Sequence, residues 1–165
     1  SPVSGIASTI IPSDADIQMF DAPTSGVDVL RISPPNSSGI SINHFSQFVV
    51  DGRKLNLVNV AGLIEATDGS GEVAIKPASV IVIIADNIDI RDTVELQGSA
   101  SDVIFISTSN TGSITCEYCN FSNVLRLSLV TATPVAALAE DISEIGDLTP
   151  AATTSISISS KVLSS

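Results

Sequence analysis

The chain has 165 residues, 44% of them hydrophobic and 15% charged, with 18 acidic residues against seven basic ones and a formal net charge of −11. That hydrophobicity is too high for intrinsic disorder. The longest apolar run, Val80-Ile81-Val82-Ile83-Ile84-Ala85, is far short of the ~20 residues a helix needs to cross a bilayer.

The acids are scattered rather than clustered, and such a surface repels nucleic acid and anionic lipid, which are held by Lys/Arg patches. The chain carries 21 Ile, 16 Val and 26 Ser, but one Tyr and no Trp. Ile and Val are stiff at χ1 and suit a pleated surface, so strands are favoured, with thin aliphatic layers in place of a bulky aromatic core.

Along the chain, residues 1–26 are interrupted by Pro2, Pro12, Pro23 and Gly26 and read as an N-terminal cap region. Ser1-Pro2-Val3-Ser4 reads as a processed or recombinant N-terminus. Val27-Asp28-Val29-Leu30-Arg31-Ile32 alternates as a strand, and Ser33-Pro34-Pro35-Asn36-Ser37-Ser38-Gly39 is a turn cluster. Further strands are predicted over 40–42, 46–50, 55–60, 62–66, 72–76, 79–84, 87–90, 93–96, 102–107, 112–116 and 124–131. The short polar turns between them, such as Asp51-Gly52 and Gln97-Gly98, leave no room for crossover helices. Residues 27–131 therefore suit an all-β solenoid in which each rung adds a few inward aliphatics. One short helix is predicted over 134–145, with Thr133 as N-cap, Pro134 in the first turn and Leu138, Ile142 and Ile145 on one face.

Few residues carry chemistry. His44 is the only histidine, and no serine sits in a Gly-x-Ser-x-Gly elbow, so His44 reads as a surface strand residue. Asp86, Asp89 and Asp92 lack the glycines and ligand density of a cation loop and read as solvated turn acids. Gly69-Ser70-Gly71 lacks the Lys and the following helix of a phosphate cradle. Cys116-Glu117-Tyr118-Cys119 holds both cysteines. Two ligands are too few for structural zinc, and the context is a turn rather than the helix start of a redox pair. A local disulfide in an oxidising compartment or two buried reduced thiols remain.

Two segments resemble the secretion domain of two-partner-secretion exoproteins, the haemagglutination-activity domain of filamentous haemagglutinins, haemolysins and contact-dependent inhibition toxins. The stretch from Gly39 to Asp51 is similar to that family's Gly-(Val/Ile)-Ser-x-Asn-x-(Phe/Tyr)-x-x-(Phe/Tyr)-x-Val pattern through Ser41, Asn43, Phe45, Phe48 and Val50. Asn59 matches the second Asn of its Gly-Leu-x-Leu-Asn-Asn, where Lys54 and Val58 replace the Gly and the first Asn. Between Asn110 and Pro134, the residues Ile114, Cys116, Cys119, Phe121, Asn123, Arg126, Leu129 and Thr131 fall in register with its Cys-x-x-Cys segment. Asn110-Thr111-Gly112-Ser113 has neither the family's Pro nor its Gly in place.

The resemblance implies a right-handed parallel β-helix with N-terminal cap strands and extra-helical hairpins. It also implies no catalysis, no cofactor, no metal and no small-molecule substrate. Residues 1–165 would form one monomeric secretion domain, whose 132–165 part continues into a longer exoprotein. Its partner would be an outer-membrane TpsB-type transporter with periplasmic POTRA domains, and its destination the cell surface of a Gram-negative bacterium. Asn43, Phe45, Phe48, Asn59 and Asn110 would be the recognition or turn residues. The rival reading is a stand-alone β-helix adhesin or carbohydrate-binding domain.

Overall fold

The computed structural model describes residues 9–12, 18–21, 26–65, 69, 71–108, 113–134, 148–150, 155–159 and 163–164. Every regular element among them is a strand. In chain order these are β1 (Thr9–Pro12), β2 (Gln18–Asp21), β3 (Val27–Arg31), β4 (Ile40–Val50), β5 (Lys54–Asn59), β6 (Gly62–Glu65), β7 (Glu72–Ile75), β8 (Val80–Ala85) and β9 (Ile88–Ile90). They continue as β10 (Thr93–Gly98), β11 (Ser101–Ser107), β12 (Ser113–Glu117), β13 (Asn120–Ser122), β14 (Val124–Pro134), β15 (Leu148–Pro150), β16 (Ser155–Ser159) and β17 (Leu163–Ser164).

The strands coil through three parallel faces. The first face stacks the N-terminal half of β4, then β8, β11 and β14. The second stacks the C-terminal half of β4, then β9, β12 and β16. The third stacks β3, β5, β10, β13 and β17. Each circuit visits the faces in the same order, and this is a parallel β-helix. On the second and third faces the free N-terminal edge is closed by an antiparallel strand: β1 lies against the second half of β4 and β2 against β3. Covering an edge in this way removes a template for unwanted pairing. Hairpin β6–β7 is an antiparallel excursion from the coil, and β15 pairs antiparallel with the end of β14.

The interior is built from like-on-like columns. Leu30, Leu57 and Leu96 are in register on the third face, as are Leu55, Val94 and Phe121. Strand β8 is buried on both sides, which accounts for its unbroken apolar sequence. Ile81, Ile83 and Ala85 join the main core, while Val82 and Ile84 form a second cluster with Ile106 on the outer side of the first face.

Strand β4 departs from expectation. The two predicted strands at 40–42 and 46–50 are one 11-residue strand that turns from the first face to the second. The turn is a bulge at Ser46-Gln47: Ile11 pairs with Gln47 but Pro12 pairs with Phe45, and both bulge residues are exposed. A bulge resets the inside-outside alternation. Phe45 and Phe48, whose three-residue spacing would put them on opposite faces of a regular strand, therefore both point into the core.

The start of the predicted helix is also corrected. Thr133 and Pro134 are the last residues of β14, paired with Thr149 and Leu148. The β-branched run through Thr131 and Thr133 extends the strand, and proline is tolerated at an end. The remainder of that helix, 135–145, lies outside the described residues.

Candidate functional site

The motif asparagines Asn43, Asn59 and Asn123 lie at the corner where the third face passes into the first, and the corner builds downward through successive rungs. The chain leaves β3 through Ser33-Pro34-Pro35 and closes a turn in which Asn36 Oδ1 accepts from the N–H groups of Ser38 at 2.8 Å and Ile40 at 3.1 Å. Short polar side chains that mimic backbone acceptors are favoured in such turns. Gly39 adopts φ +83°, and its carbonyl receives the N–H of Ser79 from the next rung at 2.8 Å.

Asn43 sits four residues on, wholly buried in β4. Its Oδ1 accepts the Ser33 N–H at 2.8 Å, and its Nδ2 donates to Ser41 Oγ at 3.0 Å and to the Val82 carbonyl of the following rung at 3.1 Å. Ser41 Oγ in turn donates to the Ser33 carbonyl at 2.6 Å. One amide side chain thus ties the turn, its own strand and the rung below. Buried amides are retained where every donor and acceptor is matched.

Asn59 repeats the device one rung later. Its Oδ1 accepts the Ala78 N–H at 2.7 Å, and its Nδ2 donates to the carbonyls of Ala78 at 3.1 Å and Ser99 at 3.0 Å. It clamps the base of hairpin β6–β7 to the coil, since Ala78 follows the hairpin and Ser99 belongs to the next rung. Asn123, at φ 65°, continues the corner by donating to the carbonyls of Leu96 and Gly98 at 3.0 and 3.1 Å. Gly98 lies between the two. It adopts φ +107°, and a Cβ there would fall 2.4 Å from the Asn59 carbonyl oxygen, so only glycine fits this step of the stack.

Phe45 and Phe48 begin an aromatic column that the sequence did not announce. Phe45 and Phe48 meet edge-on with centroids 5.1 Å apart, as do Phe48 and Phe105 at 5.7 Å, while the rings of Phe105 and Phe121 are tilted at 5.6 Å. Edge-on contacts at these separations are the favoured aromatic geometry. The residue missed is Phe105, which is hidden in the apolar run of β11 with no motif to mark it.

Cys116 and Cys119 are disulfide-bonded at the corner between β12 and β13, with Cα atoms 5.2 Å apart and both side chains buried. Tyr118 stands between them at φ 57° and is 75% exposed. Asn110 lies outside the described residues.

The polar residues considered for chemistry are dispersed. His44 is half-buried on the outer side of β4, in register with Ile84. Asp89 is paired with Arg91, Asp92 Oδ1 accepts the Thr93 N–H, and Asp86 Oδ1 accepts from Thr108 Oγ1. Among the described residues no three His, Cys, Asp or Glu side chains are grouped as metal ligands. The hydrogen bond and charge of Asp89, with Glu117 and Asp51 beyond it, raise the pKa of Arg91, and Asp102 does the same for Arg126. Both are guanidiniums that keep their charge at neutral pH, so neither provides an acid or base.

No family model matches the chain. It is 32% identical over 140 residues to the 16S rRNA endonuclease CdiA of Enterobacter cloacae, a match spanning 79% of this chain and 4% of that protein. It is 30% identical over 125 residues to the tRNA nuclease CdiA of Yersinia mollaretii, which covers 70% of this chain and 4% of the relative. It is also 33% identical over 118 residues to the toxin CdiA of Yersinia pestis, 65% of this chain and 3% of that one. The chain therefore spans only a few per cent of the length of these relatives. Among solved structures, the filamentous hemagglutinin secretion domain superposes with a TM-score of 0.52 at 25% identity, over 77% of this chain and 43% of that one.

Proposed function

The chain belongs to the two-partner-secretion domain family, the secretion domains of large, secreted Gram-negative surface exoproteins, and from that premise we propose that it is a non-catalytic secretion signal and folding nucleus. In this reading the chain enters the periplasm unfolded and is recognised by the POTRA domains of a TpsB-type outer-membrane transporter. It then folds at the cell surface, where its rungs start the β-helix of a longer exoprotein. Residues 1–165 act as one such domain, and no cofactor, nucleic acid or small-molecule substrate takes part. The kinship with CdiA proteins supports a contact-dependent inhibition toxin as the whole protein. The nuclease activities named for two relatives belong to proteins of which this chain matches a few per cent, and they are not carried over.

The observation that carries the proposal is the burial of the motif. Asn43, Phe45, Phe48 and Asn59 are all inaccessible in the folded domain. They can meet a partner only before folding, and afterwards they serve as architecture. The two roles use the same side chains in succession.

The test separates them. POTRA domains of a TpsB-type transporter are titrated with the chain held unfolded in urea, at a concentration the POTRA fold withstands, and with the native domain. The unfolded chain should bind and the native domain should not. An N43A/F45A/N59A chain, equally unfolded, should bind at least tenfold more weakly. Equal binding by that variant, or tight binding by the native domain, overturns transporter recognition through these residues.

A further inference from the structure

The chain carries 18 acidic residues and seven basic ones, so a basic side chain with no acidic neighbour is conspicuous. Six of the seven are described. Arg53 pairs with Asp28, Lys54 with Glu95, Arg91 with Asp89 and Glu117, and Arg126 with Asp102. Among the described residues Arg31 and Lys76 make no ion pair. Both line one small cleft at the corner above Asn59.

The cleft lies between the turn that leaves β3 and the base of hairpin β6–β7, with Ser33 and Pro34 on one side and Val60 and Ile75 on the other. Two polar atoms there lack partners among the described residues: Arg31 Nε and the hydroxyl of Ser33, a residue only 7% exposed. The backbone of Ser33 is already committed, its N–H to Asn43 Oδ1 and its carbonyl to Ser41 Oγ. Its hydroxyl and the guanidinium are therefore donors in want of an acceptor, next to a second cation and apolar walls. Buried donors left unmatched are rare in folded chains, and their cost is relieved by any acceptor that reaches them. The cleft has room, ~20 Å³, for one group the size of a water molecule.

We propose that this corner is a binding notch for a single carboxylate group. One carboxylate oxygen occupies the cleft, accepting from Arg31 Nε and Ser33 Oγ after a small rotation of the hydroxyl and guanidinium toward it, while Lys76 neutralises the other oxygen at the rim. A charged acceptor makes stronger bonds to these donors than water does. Because Asn43 positions Ser33, the notch exists only in the folded domain. Its occupant therefore stabilises that state and has no part in recognition of the unfolded chain.

The carboxylate can come from a free small acid or from an Asp or Glu side chain of a partner protein, and the experiment has an arm for each. The native domain is titrated by two-dimensional 1H–15N NMR with sodium acetate, with acetyl-Leu-Asp-Leu-amide, and with sodium chloride at matched ionic strength. Acetate should shift the Arg31, Ser33 and Lys76 amides saturably, with Kd on the order of 10 mM, and raise Tm by about 3 °C at 100 mM over chloride. R31Q and S33A, whose substituted groups have no partner among the described residues, should keep the native spectrum elsewhere and lose binding at least fivefold. A peptide bound tenfold more tightly than acetate identifies a protein carboxylate as the occupant, and equal affinities identify a free acid. Non-saturating shifts, chloride matching acetate, or undiminished binding by R31Q overturn the notch.

Discussion

Asn43 shows how much one side chain can carry in a thin solenoid. Its amide satisfies a turn N–H, a serine hydroxyl and a carbonyl 39 residues along the chain. Removing it strands the Ser33 N–H and the Val82 carbonyl in a dry interior and leaves a void beside them. An unmatched buried group costs ~1–3 kcal/mol, so Asn43→Ala should lower unfolding free energy by about 3 kcal/mol in urea titration. A loss below about 1 kcal/mol would mean that water replaces the amide. The type of residue at position 43 was visible in the sequence, as was its family resemblance. Its burial and its partners were not, because they depend on a turn ten residues before it and a strand 39 residues after it.

Among elements, β4 and the aromatic column decide the shape of the core. Period-two alternation located nearly all the strands of the coil, since inward aliphatics and outward polar residues leave a regular trace at β3, β5 and β10. It failed at β13, whose three residues hold one apolar side chain, and at the Ser46-Gln47 bulge, where the extra residue breaks the count. The bulge places Phe48 against Phe105, which lies wholly inside β11. Phe105→Ala should cost ~3–5 kcal/mol and Phe105→Leu less than about 1.5 kcal/mol. If the two variants unfold at the same urea concentration, the column is not a packing element. The corner disulfide closes a very short loop, so its entropic contribution is small, roughly 2 kcal/mol. A reductant should lower the urea midpoint accordingly, and alkylation under non-reducing conditions should leave the intact mass unchanged. Two alkylated thiols would refute the bridge.

At the scale of the molecule, charge and coil geometry act separately. The ion pairs Arg91–Glu117 and Arg126–Asp102 link successive rungs but lie at the surface, where such pairs contribute little. The net charge of −11 opposes compaction through self-repulsion. Screening should therefore weaken the repulsion more than the pairs. Tm measured calorimetrically should rise by roughly 2–4 °C between 20 and 300 mM sodium chloride. A fall would show that the inter-rung pairs dominate.

The register of the faces has one more consequence. Val80 lies opposite Asp102, Ile88 opposite Ile114 and Val103 opposite Leu127, about two dozen residues apart, while Ile40 lies opposite Val80 and Ile114 opposite Ile156, about 40 apart, so each strand of the coil pairs with the circuit next to it. Closing a loop of that size is inexpensive, and the expense grows slowly with length. No strand of these rungs waits for a partner from the far end, and no segment has to be threaded through another. A chain delivered end-first through a narrow opening can therefore wind up as it arrives, each new circuit settling on the one before it.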